Sequence, residues 1–344
     1  MQKVYFKRID SYKDTPEISA AAGELLAGMV EDNGIKLQKK IPLKVHFGEK
    51  NNVTYIGQEN FIGIIDYLVS SGVEPVYSET NAVYSGSRMH AKDHTALAIE
   101  HGFDRIPIEI ADGDAGGEFE EVRIDKKHFD TCKIGRKIAH CSQVAVISHF
   151  KGHVLAGFGG AIKQLGMGCA ARGGKLSMHV NAKPFIIPFI CKKCGACIAH
   201  CPAGAIETGF VYRIDHKKCI GCAACIAHCP HKRIFINPLK LNLSRTFREK
   251  IAEYAFAAQK GKDNIYISFA LNITKECDCM PKVMKPIAND IGIFVSTDTV
   301  AIDKACIDIM DENTGKKIFG GRDIFSYSQK IGLGSAEYEL VRIN

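Results

Sequence analysis

The chain has no run of eighteen apolar residues, and no early stretch combines a basic start, an apolar run and a small-residue cleavage site. The first absence argues against a membrane-spanning helix, the second against a secretory leader. A cytoplasmic location without a membrane partner is therefore expected. Charge of one sign is also scarce. The formal net charge is +7 over 344 residues, with basic side chains scattered rather than striped. That balance offers nucleic acid no electrostatic footprint, and none is expected as a partner.

Two nucleotide motifs are approached and not met. In HFKGHVLAGFGGAIKQLGMG, at 149–168, a glycine-dense turn runs into a lysine. A phosphate loop needs a hydroxyl residue directly after its lysine to reach Mg²⁺, and here Gln164 follows Lys163. A dinucleotide fingerprint needs a third glycine or an alanine, and Ile162 stands there. Neither class explains the turn.

Cysteine, by contrast, is plentiful, with 14 in the chain. In a reducing compartment this points to metal or redox chemistry before disulfides. The one clear internal repeat sets CKKCGACIAHCP (191–202) against CIGCAACIAHCP (219–230), identical at nine of twelve positions. Each run is Cys-x₂-Cys-x₂-Cys-x₃-Cys-Pro, the arrangement that holds two 4Fe-4S clusters in bacterial ferredoxins. Three closely spaced cysteines wrap one cube, and the fourth, followed by proline, reaches the other. Cluster one is thus assigned to Cys191, Cys194, Cys197 and Cys229, and cluster two to Cys219, Cys222, Cys225 and Cys201. A zinc ribbon would leave the third cysteine and the proline of each run unexplained. His200 and His228 recur in the repeat and read as shields of the clusters.

Around this segment, strands and helices alternate. Thr15-Pro16-Glu17 opens a helix, and Ile18, Ala22, Leu25, Leu26 and Met29 keep helical spacing. Strands are expected at 43–47, 75–77, 106–110 and 144–147, with helices at 60–71, 89–101 and 128–141 between them. After the cysteines, Ser244 starts a helix, 265–271 and 291–295 are strands, and Asp298 caps a helix through Ile309. The expected fold class is α/β, a largely parallel sheet sandwich. A small ferredoxin-like α+β domain is inserted in it: 1–186 and 241–344 form the body, and 187–240 the insert.

The cysteine segment resembles two-cluster bacterial ferredoxins, which implies one-electron transfer at low potential without an open coordination position. The body resembles the iron–sulfur members of the family called domain of unknown function 362. That likeness rests on Thr80-Asn81, YSGSR at 84–88, HFKGH at 149–153, GFGGAIK at 157–163, GMG at 166–168 and CDCMP at 277–281. A more distant likeness is to the lactate racemase family, through the glycine turn, Lys163 and His179. It implies that Lys163 tethers a nickel-bound organic cofactor, His179 ligates the metal and His153 is the acid or base. Without that family, the glycines Gly157, Gly159 and Gly160 still admit a ligand to the backbone, or else shape a tight strand–helix connection beside an anion held by Lys163.

Other candidates are weaker. Cys277 and Cys279 share one side of an extended chain; with Cys169 or a histidine they hold another metal, cycle as a dithiol pair, or are free buried thiols. His90 and His94 share a helix face, yet Ala91 stands where a zinc protease needs glutamate. Arg88 clamps a carboxylate or makes a surface ion pair. Cys132, Cys141 and Cys306 read as core positions on helices. The leading expectation is a redox protein whose clusters serve a site at His153, Lys163, His179 and Arg88, with a redox partner protein and a small-molecule substrate. The alternatives are a non-catalytic electron carrier or assembly factor, and a metal-cofactor isomerase with structural clusters.

Overall fold

In the strand at 265–270, Ile265, Ile267 and Phe269 bury on one face and Tyr266 and Ala270 on the other, so both faces of its sheet demand cover. The computed structural model describes residues 1–84, 86–201 and 203–343. Ser85 and Pro202, which belong to the motifs above, lie outside the described residues.

The chain runs through β1 (Gln2–Arg8), α1 (Thr15–Asp32), β2 (Lys40–Lys44), α2 (Ile62–Ser70), β3 (Glu74–Glu79), α3 (Ala91–Glu100) and β4 (Ile108–Ile110). A hairpin of β5 (Phe119–Arg123) and β6 (Thr131–Gly135), then one helical turn, α4 (Arg136–Ala139), lead to β7 (Ala145–His149). A second hairpin, β8 (Lys151–His153) and β9 (Gly157–Gly159), feeds α5 (Ala161–Cys169) and α6 (Arg172–His179). The cysteine segment holds only short pieces: β10 (Phe185–Ile186), α7 (Ala196–Ala199), β11 (Ile206–Glu207), β12 (Arg213–Ile214), α8 (Ala224–Ala227) and β13 (Ile234–Phe235). The chain then forms α9 (Ser244–Gln259), β14 (Ile265–Ala270), β15 (Gly292–Ser296), α10 (Thr299–Thr314), α11 (Asp323–Ile331) and β16 (Tyr338–Arg342).

The fold is α/β. Eight strands form one sheet in the order β16-β1-β15-β14-β7-β2-β3-β4. From β14 to β4 every pairing is parallel, and β15 runs antiparallel to both of its neighbours. Ile18, Leu25, Ile64 and Leu68 of α1 and α2 cover one face, while Leu165, Ile302 and Phe325 of α5, α10 and α11 pack on the other. The sheet takes strands from both sides of the cysteine segment. That segment leaves and rejoins the body at one place: Val180 bridges Leu241, and the Asn242 N–H donates to the His179 carbonyl at 2.9 Å.

Where a helix was expected at 128–141, the chain forms β6 and a single turn. Cys132 and Ile134 bury while Thr131 and Lys133 face outward, a period of two rather than 3.6. Cys132 therefore reaches the core from a strand. Cys141 is half-buried, and Cys306 is fully buried on α10.

Helices α1 and α2 cross at paired glycines. A Cβ on Gly63 would stand 2.2 Å from the Ser19 carbonyl oxygen. Gly63→Ala is accordingly expected to lower the unfolding free energy by about 1–3 kcal/mol. Urea unfolding checks this, and an unchanged midpoint would refute the close crossing.

Candidate functional site

The parallel strands β2, β3 and β7 end on one edge of the sheet, the side on which α/β folds bind ligands. Lys44, Glu79 and His149 stand at those ends. The glycine turn is not an open loop there. Gly157 (φ +87°) is packed against the backbone of Gly320, where a Cβ would lie 2.3 Å from the carbonyl oxygen. Gly160 abuts the Asp303 carboxylate, which accepts the Ala161 N–H at 2.6 Å and the Ile162 N–H at 3.0 Å. The first amides of α5 are thus satisfied by the protein itself, in the position where an anion would sit. Gly157 and Gly160, expected to admit a ligand, instead admit other parts of the chain. Gly159 alone borders Lys163 and Lys151.

Behind this hairpin lies a cavity of about 150 Å³. It is lined by His153 from β8, Lys163 from α5, Lys175 and His179 from α6, and Arg88, His46, Glu79 and Cys279. Phe247 of α9 carries both imidazoles: the His153 ring stacks at 6.1 Å and the His179 ring at 4.7 Å, centroid to centroid. Burial, then the Lys163 charge, lowers His153 to about 3 and His179 to about 4, so both rings are neutral near pH 7. Arg88 is no surface residue. Its Nε donates to Glu49 at 3.1 Å, and Nη1 lies 3.5 Å from Glu79. Lys44 Nζ approaches Glu79 at 2.8 Å. Burial would raise Glu79, yet Lys44, Lys175, His46 and Arg88 together hold it below the ordinary range. Arg88 spends its charge on protein carboxylates, and Lys175, lowered by burial to about 8, donates to the Thr80 and Asn81 carbonyls.

The two thiols at 277 and 279 belong to a turn, closed by the Met280 N–H donating to the Cys277 carbonyl at 3.0 Å, and not to an extended chain. Asp278 lies inside the turn. It is fully buried, with Lys151 Nζ at 2.6 Å and His149 Nδ1 at 3.0 Å. His149 Nε2 meets the Leu271 carbonyl at 2.9 Å, so both ring nitrogens face acceptors, the pattern of a doubly protonated imidazole. Burial would raise Asp278, but Lys151 and His149 hold its carboxyl well below the usual range. Lys163 Nζ lies 3.5 Å from Cys277 Sγ. The Cys279 hydrogen bond, acting against burial and joined by Lys163 and Lys151, holds Cys277 well below an ordinary thiol, while Cys279 is pushed well above it. Both sulfurs and one ring nitrogen of His153 lie within 4.8 Å of one another. The thiols therefore gather His153, whereas among the described residues His179 joins no such group.

The duplicated cysteine runs repeat in conformation as well as in sequence. Lys193 and Gly221, Gly195 and Ala223, and Gly204 and Lys232 are three equivalent pairs, and all six residues have left-handed φ between 52° and 80°. Cys201 and Cys229 accept matching N–H groups, from Ala205 at 3.3 Å and Arg233 at 3.2 Å. One recess is lined by Cys191, Cys194, Cys197 and, from the other run, Cys229. Burial raises Cys225 to about 12, with Cys222, Cys219 and Cys201 adding to the shift as neighbours. Among the described residues no three of these eight sulfurs lie within 4.8 Å of one another. Four thiolates about 2.3 Å from one zinc ion would stand roughly 3.8 Å apart.

The cysteine segment docks on α6. A Cβ on Gly173 would lie 2.6 Å from the Gly221 carbonyl oxygen and 2.8 Å from Cys222 Cα. Leu176 and Val180 pack with Ala223, and Val83 joins them and also lines the cavity. His90 and His94 part company: His90 lies near Asp114 and His228, while His94 is fully buried against Phe47. Glu79, Lys175, Asp278 and Asp303 carry the site electrostatics; only Asp278 lay in a motif that the sequence singled out, CDCMP, and none was given a role. Each is a single charged residue whose partner is far along the chain. His149 ends β7 and Lys151 opens β8 within the HFKGH motif, which with CDCMP was the available signal.

A family model described as "Domain of unknown function (DUF362)" matches residues 41–308. No curated protein matches. Among solved structures, a crystal structure of a protein from Thermotoga maritima is similar at 10% identity and a TM-score of 0.45, covering 90% of this chain and 60% of that one. The chain thus spans less than two thirds of that protein's length.

Burial raises Asp303 to about 7 despite its two amide donors. A folded value above the unfolded one means that its stabilising contribution is complete below about pH 4 and is lost as pH rises through about 7. The stability of the natural protein minus that of Asp303→Asn should therefore fall across this window in urea unfolding. A difference that stays flat with pH would contradict the buried placement.

Proposed function

The chain belongs to the DUF362 family, and from that premise we propose that it is an iron–sulfur redox protein. Two 4Fe-4S clusters in the cysteine segment serve a small-substrate site in the α/β body. Cys191, Cys194, Cys197 and Cys229 would hold one cluster, and Cys219, Cys222, Cys225 and Cys201 the other. The observation that carries this reading is the recess lined by the first four of these cysteines, in which Cys229 comes from the opposite run. Bound clusters supply one-electron transfer at low potential.

The chain's own residues do the rest. Left-handed backbone at six positions turns the runs around their recesses, and amides donate to Cys201 and Cys229. Residues 187–240 act as the electron-transfer unit, and 1–186 with 241–344 as the body it serves. Gly173 lets the second run lie directly on α6, whose far end presents His179 to the cavity. An external redox protein is the donor or acceptor. No helix among the described residues is long and apolar enough to cross a membrane.

The cavity also weighs the alternatives. A carrier or assembly factor needs no recess lined by His46, Glu79, Arg88, His153, Lys163, Lys175 and His179. An isomerase with a bulky metal-bound organic cofactor needs more room than about 150 Å³, because sites for such ligands run from about 300 to 1,000 Å³. Lys163, the tether that reading requires, is engaged with Cys277.

Protein purified without oxygen should contain about eight irons and eight acid-labile sulfides per chain. Cys229→Ala should disturb the cluster bound mainly by the first run, removing up to about four irons. A folded preparation with about two zinc ions and no labile sulfide would refute the reading.

A further inference from the structure

The turn at 277–280 carries chemistry that an electron relay alone leaves unassigned. Cys277 is buried and Cys279 lines the cavity, with His153 beside both. Such a group suits either a metal ion or a redox pair of thiols, and three features decide between them. First, His153 Nδ1 accepts the Leu155 N–H at 3.3 Å and the Ala156 N–H at 3.0 Å. A neutral imidazole has one acceptor nitrogen, so Nε2 carries the ring hydrogen and has no lone pair for a metal. Second, Lys163 already sets an ammonium 3.5 Å from Cys277 Sγ. That charge compensates a thiolate and opposes a cation in the same place. Third, buried Asp278, locked to Lys151 and His149, pins the turn and leaves the sulfurs of residues two apart within 4.8 Å. A turn of this kind brings the two Cα atoms into the range from which a disulfide closes.

We propose that Cys277 and Cys279 are a redox-active dithiol, the two-electron terminus of the cluster relay. The proposal rests on the cluster reading for its electron source. The oxidised form is the Cys277–Cys279 disulfide. It takes two electrons, one from each reduced four-iron cluster, and one proton from solvent. The S–S bond breaks, leaving a thiolate on Cys277 beside Lys163 and a thiol on Cys279 facing the cavity. The clusters are re-reduced by an external low-potential one-electron donor. In the reverse direction the dithiol gives up two electrons and the thiol proton, and the S–S bond re-forms. The pair joins one-electron carriers to the two-electron chemistry of a small substrate, with Cys279 as the exposed sulfur and Cys277 as the resolving one.

The test uses the anaerobic, cluster-loaded protein. One portion is oxidised with a mild dye such as thionine, and another is reduced with dithionite. Both are denatured in acid, labelled with N-ethylmaleimide, digested and weighed. The peptide holding both cysteines should be unlabelled and lighter by two hydrogens after oxidation, and doubly labelled after reduction. Counted electrons give a second reading. The natural protein should take up about four electrons per chain, and Cys279→Ser about two, at unchanged iron and sulfide. A doubly labelled peptide after oxidation overturns the proposal. So does one equivalent of a further metal that Cys279→Ser loses, since that marks a metal site. Should iron and sulfide prove absent, the cluster reading fails separately. Reduction with tris(2-carboxyethyl)phosphine then judges the pair alone: a switch from unlabelled to doubly labelled establishes the dithiol and overturns only its electron source.

Discussion

One buried carboxylate organises this site. Asp278 is wholly removed from solvent, and an unpaired carboxylate there would cost several kcal/mol. The chain meets that cost by bringing Lys151 from the β8 hairpin and His149 from the end of β7 against it. Because His149 also holds the Leu271 carbonyl, the ends of two adjacent parallel strands and the cysteine turn are tied at one point. The cavity forms around that tie. Lys163 finds Cys277, His153 stands beside the sulfurs, and Phe247 fixes the two imidazoles that close the wall. Removing Asp278 would leave Lys151 and His149 as adjacent buried donors without an anion, which makes the motif hard to vary in part.

A second buried carboxylate explains the glycines. Asp303 takes the first amides of α5, a place that nucleotide-binding folds give to phosphate. Gly160 is small because Asp303 is there, and Gly157 because the backbone of Gly320 is. The turn resembles a phosphate loop in composition since both need backbone amides near an anion. Here the anion is part of the chain, which is why the hydroxyl after Lys163 and the third glycine are missing.

Much of the architecture was legible beforehand, for identifiable reasons. Alternating strands and helices produced the α/β class, because periodicity is local and the sheet is largely parallel. Strand β6 was read as helix since Cys132, Ile134 and Ile138 fit either period until Thr131 and Lys133 are seen to face outward. Strands β1 and β16, at one side of the sheet, were missed because only pairing with each other and with β15 fixes them. His153 and Lys163 were named from the glycine motif and His179 from the resemblance to the lactate racemase family, and all three line one cavity. Asp278 stood only as the second residue of the CDCMP motif with no role attached, and Asp303 could not be named. Their partners lie 129 and 142 residues away, and a lone acidic residue leaves no pattern in a sequence.

The account stands on electrons reaching this cavity through a segment that touches it by α6. Gly221 and Cys222 rest on Gly173, and Val83 both packs in the cluster that holds Ala223 and lines the cavity, so the second run is joined to the cavity wall through shared packing. The most direct test is low-temperature electron paramagnetic resonance of the anaerobic protein reduced with dithionite. The account predicts a signal that integrates to about two unpaired spins per chain, broadened by coupling between neighbouring reduced cubes. No signal, or one that integrates to a single spin in protein with all eight cysteines intact, would contradict it.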